Sequence, residues 1–245
     1  MLEAAPEARV RQDEIHRGLL ATSKYVTEPN FQVIHPEDLR WLFQRYDDLF
    51  LQGTCGAALD GVPLRFRLAP RMTKAGGTTT RYRDRAGKIS FEIAIGISLI
   101  FDGFREDHRT VTACGLECGN RLEALQRVFE HEIVHLAEQL AWGESECSGA
   151  RFQGIARRFF DHRTHTHALI TRRERAAQSG IRLGSMVGFW FEGERLMGRV
   201  NRITKRATVL VEDAGGRRYS DGRRYKTYYV PIAGLEPQAR AAAAS

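Results

Sequence analysis

No apolar run in the 245-residue sequence is long enough to cross a bilayer; the longest mostly apolar stretch covers residues 93–101. The N-terminus is charged from Glu3 onward and lacks the apolar core of a secretory signal. Four cysteines (Cys55, Cys114, Cys118 and Cys147) are too few for a disulfide scaffold. Cys114-Gly-Leu-Glu-Cys118 has no second cysteine pair to complete a four-ligand zinc site. Together these absences argue against a membrane protein and a disulfide-rich secreted domain, and the expected location is the cytoplasm.

What is present is enough for a folded core. Hydrophobic residues make up 42% of the chain and charged residues 27%, outside the range of disordered chains. The net charge of +7 is unevenly spread. Residues 171–245 carry 15 Lys+Arg against 7 Asp+Glu, while the other 170 carry 22 against 23. A basic C-terminal third suits a polyanion-facing module.

The pattern predicts an α+β chain: a polar lead-in over residues 1–34, frayed or weakly helical, a mixed domain over 35–180, a small all-β barrel over 181–236, and a tail over 237–245. His35-Pro-Glu-Asp opens a helix with Leu39, Leu42, Phe43, Tyr46, Leu49 and Phe50 at helical spacing, ended by Gly53. Val62-Pro-Leu-Arg-Phe-Arg-Leu alternates as a half-exposed strand does, and Asp84-Arg-Ala-Gly87 reads as the turn of a hairpin. Residues 93–101 fit either a buried strand or a short helix, and 102–120 read as loop. Helices are expected over 121–142, closed by Gly143, and over 148–160 with Ser148 as N-cap, and a short charged one over 171–180. From residue 181 the period drops from about 3.6 to 2, giving four or five short strands of SH3-like size.

The strongest chemical signal is His131-Glu132-Ile-Val-His135. On a helix, residues i and i+4 share a face, so both imidazoles reach one zinc ion. Glu132 projects beside them, placed as general base toward water on that ion. A hydrolytic zinc also needs a third protein ligand. Cys147 is a strong candidate as thiolate; Glu144 and Glu146 share its loop, and His162, His165 and His167 follow downstream. The last three would stand roughly 20 Å along a helix from the loop unless its C-terminal end faced the site.

Over roughly residues 35–165 the chain resembles the SprT-like metalloproteases, in three features: a leading helix ending in Phe50-Leu-Gln-Gly53, Ala75-Gly76 before a basic hairpin, and HExxH followed by a short second helix. The resemblance implies a zincin-like fold, peptide-bond hydrolysis and a protein or peptide substrate, in the better-known branch a protein crosslinked to DNA. It also implies a third zinc ligand, a histidine in His-Gly-x-x-aromatic, where this sequence has Ser148-Gly149-Ala150-Arg151-Phe152. That departure makes a catalytically idle zincin scaffold the competing reading.

In the basic third, Phe189-Trp190-Phe191, Tyr219, Tyr225, Tyr228 and Tyr229 are interleaved with arginines and lysines, a pattern that stacks on bases and neutralises phosphates. Arg223, Arg224 and Tyr219 are the candidate nucleic-acid contacts; peptide binding or a purely structural role are the alternatives.

Overall fold

The computed structural model describes residues 4–72, 75–104, 111–168, 180–204 and 206–238. It is a mixed α/β chain that divides into two compact units, 1–169 and 170–245, each described by itself. The charged helix expected over 171–180 lies, apart from Gly180, outside the described residues, as does the tail beyond residue 238.

Of the two readings of the lead-in, frayed or weakly helical, the first unit shows a helix. Ala4–Thr22 is a helix, α1, that buries Ala8, Gln12, Ile15 and Leu19 on one face. The third-turn glutamine hid the stripe. Its side-chain amide donates to the Phe160 carbonyl at 3.2 Å, and its backbone carbonyl accepts from Gln126 Nε2 at 3.0 Å.

Helix α2 (Pro36–Leu51) starts on a capping box in which His35 Nδ1 accepts from Glu37 N and the Asp38 carboxylate accepts from His35 N. It stops at Leu51 with Gln52 in the left-handed region; Gly53 caps the following short helix α3 (Thr54–Leu59). Strands β1 (Leu64–Leu68), β2 (Gly77–Arg83) and β3 (Ile89–Ile95) form a sheet in the order β1-β3-β2, with β1 parallel and β2 antiparallel to β3. The ambiguous stretch 93–101 contains both structures: β3 ends at Ile95, and α4 (Ile97–Gly103) begins after Gly96. The expected loop at 102–120 instead contains a hairpin, β4 (Val111–Ala113) and β5 (Leu116–Cys118), on which β6 (His167–Ala168) adds beside β4.

Helix α5 (Arg121–Trp142) runs through the unit. Asn120 caps it by accepting from Glu123 N at 3.0 Å, and Gly143 ends it at φ 79°, a conformation glycine adopts without strain. Helix α6 (Ala150–Phe160) is capped by Gly149 rather than Ser148, whose hydroxyl donates to Glu146. Buried in the core, the Glu130 carboxylate accepts from Tyr46 Oη at 2.8 Å and Arg127 Nη1 at 2.9 Å, with His162 Nε2 at 2.9 Å.

The second unit is a five-stranded antiparallel sheet in the order β10-β9-β8-β7-β11: β7 (Met186–Phe191), β8 (Glu194–Ile203), β9 (Ala207–Arg218), β10 (Arg224–Val230) and β11 (Glu236–Pro237). Its core holds Ile181, Val187, Phe189, Val200, Ala207, Val209 and Leu235. Among the described residues no helix is long and apolar enough to cross a membrane.

Candidate metal centre

Helix α5 carries the buried His131 and Glu132 and the half-buried His135 in its middle. One turn apart, the two rings bring Nε2 to within 3.1 Å of Nε2. Cys147, in the loop after α5, joins them, and one donor atom from each of the three lies within 4.8 Å of the others. Ligand nitrogens about 2.0–2.1 Å from one tetrahedral zinc stand about 3.3 Å apart, so the observed spacing suits a single ion. Phe152 of α6 closes the face, its ring 4.7 Å from that of His131 and 4.5 Å from that of His135.

The hydrogen bonds around His135 set its tautomer. Ser145 Oγ donates to Glu138 Oε2 at 2.5 Å, so its lone pair accepts from His135 Nδ1–H at 2.7 Å. Glu138, 1% exposed, also accepts from Arg151 Nε at 2.7 Å. This chain leaves the His135 Nε2 lone pair free to face His131. Burial, reinforced by the neighbouring histidines, pushes His131 down to about 2; burial also lowers His135 against the pull of Glu138. Both rings therefore stay neutral and able to ligate at pH 7. Burial raises the Cys147 thiol, so in the metal-free protein it keeps its proton; a cation beside it would reverse that.

Glu132 is 2% exposed. Thr79 Oγ1 stands 2.8 Å from Glu132 Oε2 and 2.9 Å from Glu132 O, tying the carboxylate to β2. Gly77 lies against the same carboxylate: a Cβ there would come within 2.7 Å of Oε1 and Cγ. Burial pushes Glu132 up to about 8, with the Thr79 hydrogen bond opposing.

The remaining ligand candidates lie elsewhere. Glu144 and Glu146 are exposed; the first approaches Arg151 at 4.0 Å and the second accepts from Ser148. His162 is buried in the core against Glu130, so it is a packing residue rather than a ligand of this centre. His165 is half-buried and joins no donor group among the described residues. His167 does come back to α5, because the chain reverses after Asp161 (φ 59°) and pairs β6 with β4; its ring lies 4.9 Å from that of His131. There it groups with Cys114 and His131 instead of His135 and Cys147. Reasoning from sequence missed Thr79, Gly77, Glu138 and Ser145, and set Cys114 aside because it looked for a second cysteine pair beside Cys114 and Cys118. Only Glu138, one turn beyond His135 and facing the following loop, carried a readable signal.

In the second unit the named contacts are already engaged. Arg223 pairs with Glu212 at 3.1 Å, Arg224 Nη1 donates to Gly216 O at 3.0 Å, and the half-buried Tyr219 meets Tyr225 edge-on at 5.4 Å. The exposed aromatics described in this unit are Phe191 (44%), Trp190 (64%) and Tyr229 (68%); Trp190 and Tyr229 alternate with Phe189 in the core and with Tyr228 packed against it.

Comparison with known protein families, with curated proteins and with solved structures finds no match.

Proposed function

We propose that the protein is a zinc-dependent metallopeptidase of SprT-like type, with a zincin-like first unit and an SH3-like second unit. The observation that carries this reading is the donor triangle of His131, His135 and Cys147 beside the buried carboxylate of Glu132. A cysteine one position before the family's histidine supplies the third donor, which removes the chief reason to read the centre as idle. A zinc ion held there supplies an acidified water and a Lewis acid for a carbonyl oxygen.

The chain's own groups do the rest. Glu132, fixed by Thr79, accepts a proton as the attack begins and returns it to the leaving amine. The Arg151–Glu138–Ser145 chain holds His135 in its ligating tautomer. Strand β2 is at the edge of its sheet and passes Glu132 at Gly77 and Thr79, so an extended peptide adding to that edge lies along the centre.

Elemental analysis of variants tests the site: His131→Ala, His135→Ala and Cys147→Ala should each lose tightly bound zinc, and Glu132→Gln should keep it. Full zinc retention in the two histidine variants contradicts the assignment.

For the second unit, nucleic-acid binding is the reading favoured by the exposed pair Trp190 and Tyr229 on a basic sheet. A protein associated with DNA would then be the substrate.

A further inference from the structure

His131 has two ring nitrogens, and only one faces His135. Its Nε2 lies 3.1 Å from His135 Nε2, whereas its Nδ1, on the other edge of the ring, lies 3.9 Å from the Sγ of Cys114. The same sulfur lies 3.7 Å from His167 Nδ1, and the three residues present donor atoms within 4.8 Å of one another. We propose that Cys114, His131 and His167 form a second metal site, for a thiophilic divalent ion of the zinc class, joined to the first through the ring of His131.

The spacing fits a shared ion. With zinc–sulfur near 2.3 Å and zinc–nitrogen near 2.0–2.1 Å, sulfur and nitrogen ligands of one ion stand about 3.6 Å apart in tetrahedral geometry and about 3.8 Å in trigonal. The separations of 3.7 and 3.9 Å match.

The backbone at Cys114 supplies an independent observation. Cys114 (φ 54°) and Gly115 (φ 74°) are the two central residues of the β4–β5 turn, both left-handed. Such turns favour asparagine, aspartate and glycine, and a cysteine in that conformation is strained. Strain retained at a side chain that points into a donor cluster suggests use. The residue is also clamped. Its N–H donates to Thr166 O at 2.9 Å, and its carbonyl accepts from Arg163 N at 2.9 Å and Thr164 N at 3.1 Å. The segment 163–166 that makes these bonds leads directly into β6, whose pairing with β4 sets His167 opposite Ala113.

A nucleophilic cysteine–histidine pair is the other chemistry these residues suggest. Cys114 is completely buried, so no substrate reaches its sulfur. With both ions bound, the Cys114 thiol and the His131 ring each give up a proton, so the second ion binds more weakly than the first and releases acid on binding.

The proposal rests on the peptidase reading only through His131, and equilibrium dialysis against Zn2+ with elemental analysis separates the two. Wild-type protein should saturate at two ions per chain, and Cys114→Ser and His167→Ala at one each. Loading Cys147→Ala with Co2+ should leave a thiolate-to-cobalt absorption band from Cys114, which Cys147→Ala/Cys114→Ser abolishes. Saturation of wild type at a single ion, or a Cys147→Ala spectrum without that band, overturns the second site. Two ions retained in His135→Ala and Cys147→Ala, with loss of one in Cys114→Ser, would uphold it and refute the peptidase centre instead. His167→Ala removes a half-buried ring rather than a fully buried turn residue, so it answers the same question if Cys114→Ser fails to fold.

Discussion

Ser145→Ala removes one hydroxyl from the loop after α5 and should loosen the metal without touching a ligand. In the intact chain that hydroxyl accepts from His135 Nδ1 at 2.7 Å and donates to Glu138 Oε2 at 2.5 Å. Without it, His135 Nδ1 loses the hydrogen bond that holds its ligating tautomer, and a carboxylate that is 1% exposed keeps Arg151. Loss of such a supporting hydrogen bond typically weakens metal binding about 10- to 100-fold, equivalent to about 1.4–2.7 kcal/mol. Because Glu138 is almost fully buried and loses one of its two partners, the upper half of that range is expected. Competition between metal-free protein and a chromophoric chelator reads the affinity directly. Ser145→Thr, which restores the hydroxyl, should recover most of it. Zinc affinity within twofold of wild type in Ser145→Ala, or a Ser145→Thr variant as weak as Ser145→Ala, would refute the coupling.

Gly77→Ala would place a Cβ 2.7 Å from Glu132 Oε1 and should displace that carboxylate. Peptidase activity should fall on the order of 100-fold for a shift near 1 Å, with zinc content in the purified variant unchanged. His162→Ala should leave zinc content at wild-type level but destabilise the fold by about 1–3 kcal/mol in urea unfolding, since it strips a buried partner from Glu130. Single-stranded DNA binding by the full chain, followed by fluorescence anisotropy, should weaken steeply with salt. Trp190→Ala and Tyr229→Ala should each reduce it by about 1–3 kcal/mol, more than Tyr219→Ala, and binding indifferent to salt would remove the nucleic-acid role.

How much of this was readable in the sequence follows from the range of each interaction. Helix α5 and its Gly143 stop were legible because apolar spacing and a left-handed cap are local signals. So was the turn at 84–87, where Asp84 accepts from Lys88 N and Ala86 N through its carboxylate. The pairing of His131 and His135 followed from helix geometry alone. Helix α1 was legible only as weakly helical because Gln12 occupies a core position whose side-chain amide donates to the carbonyl of Phe160, far along the chain. The β4–β5 hairpin escaped because its strands are three residues each and its turn carries cysteine where asparagine would announce it. The return of His167 depended on a strand pairing across the unit that a helix-length argument could not foresee. Thr79 and Gly77 meet Glu132 across 53 and more residues, and nothing in their own neighbourhood marks them.

The proposed hydrolytic zinc centre combines Glu132 with the His131, His135 and Cys147 donors. Hydrolysis of fluorescently labelled casein by zinc-loaded wild type and by zinc-loaded Glu132→Gln, with zinc content measured on the same samples, tests it most directly. Wild type should cleave casein, chelation should abolish and zinc restore that cleavage, and Glu132→Gln should not cleave at equal zinc content. Equal cleavage by both proteins, or none by a wild type carrying its full zinc, would contradict it.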